Sequence, residues 1–236
     1  MGHPQLLLDI SPRQLPTLDN FVVGGNTELL ARLSALAAPG VIDMIYLWGP
    51  PGSGRSHLLH GALAAARNRQ RPAVFCAGAE PGAKPGNAVG DSQAPIPGSL
   101  VIVDDVDALG DAAQIALFRA FNAARRDGLA LLLSGGAPPL RLARLREDLR
   151  TRIGSALVYE VQPLSDAEKS AALLRHGASR GMRIDSAIID YLLRHGRRDL
   201  PSLLAVLDAL DRASLQQQRP VTLPLLREIL QTEHRD

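Results

Sequence analysis

Gly49-Pro50-Pro51-Gly52-Ser53-Gly54-Arg55-Ser56 satisfies the pattern Gly-x-x-x-x-Gly-Lys/Arg-Ser/Thr. It follows an apolar run, Met44-Ile45-Tyr46-Leu47-Trp48, and leads into Ser56-His57-Leu58-Leu59-His60-Gly61-Ala62-Leu63, where Leu59 and Leu63 stand four apart. The order of strand, glycine-rich loop and helix is that of a phosphate-binding loop. Its glycines permit close backbone approach, free amides at the helix start bind phosphate oxygens, and the serine hydroxyl can ligate magnesium. Pro51, Gly52, Ser53, Gly54, Arg55, Ser56 and His57 are therefore candidate nucleotide-binding residues. The competing reading is a glycine-rich strand-to-helix turn that holds nothing. Arg55 departs from the usual lysine: a planar guanidinium replaces a compact point charge, a change that binding tolerates better than hydrolysis does.

Outward from the loop, strand-like runs recur at Ala73 to Ala77, Leu100 to Val103, Ala130 to Leu133 and Ala156 to Val161, with helical stretches such as Asp111 to Arg126 between them. Alternation of this kind predicts a five-stranded parallel sheet covered by helices on both faces. Ahead of it, Asn26 is read as the cap of a helix with Leu29, Leu30, Leu33 and Leu36 on one face. From Leu164 onward only helical patterns remain. Ser165-Asp166-Ala167-Glu168 reads as a capping box, and further helices are expected at about Asp185 to His195, Leu200 to Ser214 and Leu223 to Thr232. The chain is thus divided into a tail over 1–20, an α/β nucleotide-binding domain over 21–162 and an all-helical domain over 163–236. Pro4, Pro12 and Pro16 argue for an extended tail. The Gly/Pro/Ala-rich stretch from Gly78 to Ser99 is expected to be a mobile loop.

Leu100-Val101-Ile102-Val103 delivers two carboxylates, Asp104 and Asp105, at a strand end. Behind a phosphate loop, such a pair suits a magnesium site: Asp104, with Ser56, on the metal, and Asp105 as the group that orients or deprotonates an attacking water. Acidic pairs at strand ends also solvate turns or cap the next helix. The lone cysteine, Cys76, lies in an apolar strand and reads as a buried structural thiol. A net charge of +2 identifies no nucleic-acid or membrane surface. The absence of a long apolar run or a leader pattern sets the expected address as the cytoplasm.

Thr17-Leu18-Asp19-Asn20-Phe21-Val22-Val23-Gly24, both acidic and glycine-rich elements, and the helical C-terminal part together resemble AAA+ proteins related to the bacterial replication initiator DnaA. Within that group the similarity is greatest to the Hda family of regulatory inactivators. It is carried by Ile45-Tyr46-Leu47-Trp48-Gly49, Gly54-Arg55-Ser56-His57-Leu58-Leu59-His60, Gln162-Pro163-Leu164-Ser165-Asp166 and Leu207-Asp208-Ala209-Leu210-Asp211-Arg212-Ala213-Ser214. Loop arginine is a trait of that family. The resemblance implies ADP or ATP as ligand, with Mg2+, and places Phe21, Val22 and Val23 beside it. It implies Arg198, or its neighbour Arg197, as a lid residue reaching the phosphates. It also implies Arg152 as an arginine finger offered to a nucleotide on another subunit, against the alternative of a solvated basic face shared with Arg141, Arg144, Arg146 and Arg150.

Gln5-Leu6-Leu7-Leu8-Asp9-Ile10 is similar to the peptide by which that family docks on the sliding clamp, the beta subunit of DNA polymerase III, with Gln5, Leu6, Leu8 and Ile10 as contacts. Alone, a hexapeptide of this sort equally suits a solvated or core-docked tail. The implied partners are DnaA and the clamp, with DNA reached only through the clamp, no membrane, and self-association left open. Gly136 stands where the family carries a polar first sensor, which argues against autonomous hydrolysis, although Ser134 is a candidate substitute. No DNA-reading helix-turn-helix follows the lid, so sequence-specific DNA binding is not expected. The leading expectation is a regulator that stimulates hydrolysis of DnaA-bound ATP. The alternatives are a self-sufficient ATPase such as a helicase loader, and a non-catalytic DnaA-binding scaffold.

Overall fold

The computed structural model describes residues 15–77, 95–197 and 199–233. Five strands, β1 (Met44–Trp48), β2 (Ala73–Ala77), β3 (Leu100–Asp104), β4 (Ala130–Gly135) and β5 (Leu157–Glu160), pair in parallel in the order β2-β3-β4-β1-β5. Alternate side chains of the central strands leave on opposite faces and build two cores. Ile45, Leu47, Leu100, Ile102, Ala130 and Leu132 pack beneath α1 (Thr27–Leu36) and α2 (Arg55–Asn68). Tyr46, Val101, Val103, Leu131 and Leu133 pack beneath α3 (Asp111–Asp127) and α4 (Glu147–Gly154). Two-sided burial explains why these strands read as continuous apolar runs. The edge strand β5 leaves Leu157 and Val158 exposed.

Four helices follow: α5 (Asp166–Ser179), α6 (Ser186–His195), α7 (Leu200–Gln217) and α8 (Leu223–Glu233). They enclose a separate core that includes Leu173, Ile189, Leu192, Leu207 and Leu226. The capping box at the start of α5 is present, the Ser165 side chain accepting from the Glu168 amide and the Glu168 carboxylate accepting from the Ser165 amide. Asp208 on α7 faces both His176 of α5 (2.6 Å) and Arg180 just past its end (3.1 Å) and ties the two helices together.

Two expectations need correction. Residues 15–20 are not an extended tail: Thr17 and Asn20 close a turn by reciprocal side-chain hydrogen bonds, and Leu18 enters the first core. This crossing is possible because α2 carries Gly61 there; a Cβ would come within 2.9 Å of both the Thr17 carbonyl carbon and the Leu18 nitrogen. Asn26 occupies the cap position of α1 but makes no cap hydrogen bond. Its side chain instead donates to the carbonyls of Val23 (3.1 Å) and Gln162 (3.0 Å) and accepts from the Gln162 amide (2.8 Å), stitching the segment before α1 to the start of the lid. Gln5, Leu6, Leu8 and Ile10, and residues 78–94 of the Gly/Pro-rich stretch, lie outside the described residues.

Candidate nucleotide site

β1 ends at Trp48, and the chain turns through Gly49–Gly54 into α2. Two glycines here adopt a backbone that side chains avoid: Gly52 at φ 79° and Gly54 at φ 99°. A Cβ on Gly54 would strike the Phe21 ring at 2.8 Å, and one on Gly52 would strike Asp199 of the lid at 2.9 Å. The loop is therefore roofed by Phe21 on one side and by the lid on the other. Inside it, the Ser53 hydroxyl and the Arg55 Nη1 are buried without a hydrogen-bond partner. Buried polar atoms are ordinarily satisfied, so two orphans in one glycine cradle suit an anionic ligand such as a nucleotide phosphate. Pro51 and Ser56 are exposed at the mouth and at the first turn of α2.

Parallel topology brings the carboxylates to the same end of the sheet. β3 and β1 flank β4, so Asp104 and Asp105 stand across the tip of β4 from the loop. Ser134 of β4, fully buried, donates from its hydroxyl to Asp104 Oδ1 and accepts from the Asp105 amide at 3.0 Å. Its oxygen is thus committed to holding the acidic pair, which corrects the expectation that it could face the ligand as a first sensor. Asp105 has φ 49° and approaches Arg55 Nη1 at 3.2 Å. Burial pushes the Asp105 carboxyl above the ordinary range; Asp104 adds to this, Arg55 opposes it, and Asp107 adds a smaller push.

Asp107, which the sequence reading passed over, sits in a short 3-10 turn, Val106–Ala108, and accepts from the Gly136 amide at 3.3 Å. A Cβ at Gly136 would lie 3.2 Å from its carboxylate, a tight approach. Beside it Tyr46 donates its hydroxyl to the Ala137 carbonyl (2.6 Å), and burial, reinforced by Asp107, raises its pKa. Among the described residues, no group of three His, Cys, Asp or Glu side chains could hold a metal ion. Ser56 and Asp104 suit magnesium only in the way that ion is commonly bound, with water and phosphate oxygens completing an octahedron.

Phe21 packs its ring against His57 (5.5 Å between centroids), and His57 Nε2 donates to the Thr17 carbonyl (3.0 Å). Val22 and Val23 are half-buried, and the Val23 carbonyl receives the Asn26 amide. From the lid, Asp199 caps α7 by accepting from the Ser202 amide at 2.9 Å while its Cβ overlies Gly52. Nothing in the sequence placed Asp199 over the loop. Arg197 is 82% exposed and pairs with Asp199 at 3.6 Å, whereas Arg198 lies outside the described residues. Arg152 is on α4, distant in sequence from all of these. Leu149 and Ile153 are buried and leave Arg152 exposed, its guanidinium 6.0 Å from the centre of the Phe118 ring. Its neighbour Arg146 is paired with Asp148 at 2.8 Å.

Residues 166–230 match the family model described as Hda, lid domain. The helical C-terminal part is therefore Hda-like. Domain III of DnaA from Thermotoga maritima superposes with a TM-score of 0.74 at 18% identity, covering 92% of this chain and 95% of that one. The AMPPCP-bound DnaA of Aquifex aeolicus gives 0.68 at 19% identity over 84% of this chain and 65% of that one. A Thermotoga maritima RuvB variant gives 0.69 at 18% identity over 92% and 72%. At these identities the likeness establishes the fold alone: an α/β domain folded like those of DnaA and RuvB, followed by a helical lid, here a lid of the Hda type. Among the described residues, no helix is long and apolar enough to cross a membrane.

Proposed function

We propose that this Hda-like chain binds ADP or ATP in the Gly49–Ser56 loop and regulates replication initiation by stimulating hydrolysis of DnaA-bound ATP while docked on the sliding clamp through Gln5, Leu6, Leu8 and Ile10. The observation that carries the reading is the Hda lid match on a chain that spans 95% of DnaA domain III and keeps two orphaned polar atoms in its glycine loop. Magnesium, when bound, would neutralise phosphate charge; Ser56 and Asp104 would hold it. Ser53 and Arg55 would take the phosphate oxygens, and Ser134 fixes the Asp104 carboxylate for its task. The finger role is favoured by the exposure of Arg152: a guanidinium that must enter a neighbour's site cannot be tied down in its own core.

The test is hydrolysis of DnaA-bound ATP with and without this protein and DNA-loaded clamp. Arg152→Ala should lower the stimulation by about a thousandfold, the scale of an arginine finger, and leave clamp binding intact. The double variant Gln5→Ala with Leu8→Ala should instead weaken clamp binding. Full stimulation by Arg152→Ala would remove that residue from the mechanism. Rapid ATP turnover by the isolated protein would favour a self-sufficient motor, and DnaA binding by the wild-type protein without stimulation would favour a scaffold.

A further inference from the structure

Arg55 is the first residue of α2, directly after the left-handed Gly54, so its stem rises from within the loop. Its side chain is only 14% exposed, yet its charge is answered by a carboxylate from a different strand. The backbone that carries this carboxylate, at Asp105, is held in place independently of Arg55. The Asp105 backbone sits at φ 49°, and its amide is anchored to Ser134 Oγ (3.0 Å) and Asp104 Oδ1 (3.2 Å). The side chain therefore projects from a fixed base across the tip of β4. The contact is close but poorly aligned: Nη1 lies 3.2 Å from Asp105 Oδ1, and the same Nη1 has no hydrogen bond of acceptable geometry.

Carboxylate and phosphate are alternative partners for a guanidinium, and both bind best through aligned N–H groups. An arginine buried in a phosphate loop while leaning on an internal carboxylate is thus a cation already partly claimed. We propose that Asp105 and the phosphate of a bound nucleotide compete for Arg55, so that Asp105 sets the affinity of the loop. The inference rests on the nucleotide-binding reading above. A phosphate that captures Arg55 releases Asp105, and an empty loop draws Asp105 back. Occupancy of the loop and the position of the second acidic residue are thereby coupled.

The experiment is calorimetric titration of ADP into the full chain, in EDTA so that metal binding at the carboxylates does not contribute, and in about 0.3 M salt so that distant charges are screened. Asp105→Asn is the informative variant, because asparagine tolerates the left-handed backbone and removes only the charge. Asp107→Asn is the control: it deletes another nearby charge, one that makes no ion pair with Arg55 among the described residues. Asp105→Asn should tighten ADP binding by about five- to tenfold, the lower range of coupling between linked sites, and Asp107→Asn should change it by less than about twofold. Equal tightening by both variants would reduce the effect to general charge and overturn the competition. Unchanged affinity in Asp105→Asn would overturn it directly. Absence of ADP binding in the wild-type chain would remove the nucleotide reading itself, and the competition with it.

Discussion

Arg71 is 2% exposed, and all five of its N–H groups find main-chain carbonyls. Nε donates to Gly98 (3.0 Å), Nη1 to Leu36 (2.5 Å) and Ala38 (2.8 Å), and Nη2 to Val41 (2.7 Å) and, at the limit, Ser99 (3.5 Å). Leu36 ends α1, so part of this set is the carbonyl end of a helix, where orphan oxygens and the dipole both favour a cation. The remainder fixes the approach to β3 beside the start of β2. Arg71→Lys keeps the charge but offers three donors to five buried acceptors. At least two carbonyls lose their partner, and at about 1–3 kcal/mol each the cost is roughly 2–6 kcal/mol. Against a total stability of about 5–15 kcal/mol this is large, and for a chain of this length it corresponds to a fall in Tm of roughly 4–24 °C. The single tryptophan, Trp48, provides a fluorescence signal for urea unfolding, and thermal melts by circular dichroism give an independent measure. Because Arg71 is at the amino ends of β2 and β3 and the loop leaves the carboxyl end of β1, ADP affinity of the folded variant should match wild type. A loss below about 0.5 kcal/mol would show that water satisfies these carbonyls and would refute the reasoning.

Burial, opposed by the Thr17 hydrogen bond, lowers the pKa of His57 below its usual 6.5. A depressed histidine favours the folded state above the unfolded value and loses that contribution as pH falls. Unfolding free energy should therefore decline as pH drops below 6.5, and His57→Gln should flatten that part of the curve; an identical pH profile in the variant would discount the histidine. Cys76 is 4% exposed, and burial raises its thiol pKa. Iodoacetamide at pH 8 should label it slowly in the native protein and rapidly in urea, with mass spectrometry as the readout; equal rates would contradict its burial.

The sheet was legible because its central strands are buried on both faces, which leaves apolar runs that only a covered parallel sheet explains, and because the glycine loop fixed where the first of them ends. What escaped detection was long-range backbone contact. Asn26 carries the sequence signature of a helix cap, and nothing local reveals that Gln162 competes successfully for its amide. Gly61 in mid-helix was a readable sign of close approach, but not of what approaches. Asp107 was missed because its contact is long-range: only in the fold does this turn aspartate lie beside Gly136 and accept from its amide.

Arginine shows most clearly where composition stops being informative. All but two of the 26 basic residues are arginine, so its presence at any one position distinguishes nothing, and the roles separate only by burial and partner. Arg71 is enclosed and answered wholly by carbonyls; such a cation is structural, since no ligand can reach it without unfolding the β2 approach. Arg55 is enclosed but answered by a single misaligned carboxylate, which leaves capacity for an incoming anion. Arg152 is exposed and, among the described residues, its guanidinium lies 6.0 Å from an aromatic ring, a contact worth about 0.5–1 kcal/mol at such a surface site, so this contact does little to hold it back from a neighbouring molecule. Substituting lysine should therefore separate the three. At 71 it should cost stability without affecting ligand binding, at 55 it should alter nucleotide affinity, and at 152 it should impair only an activity measured on a partner.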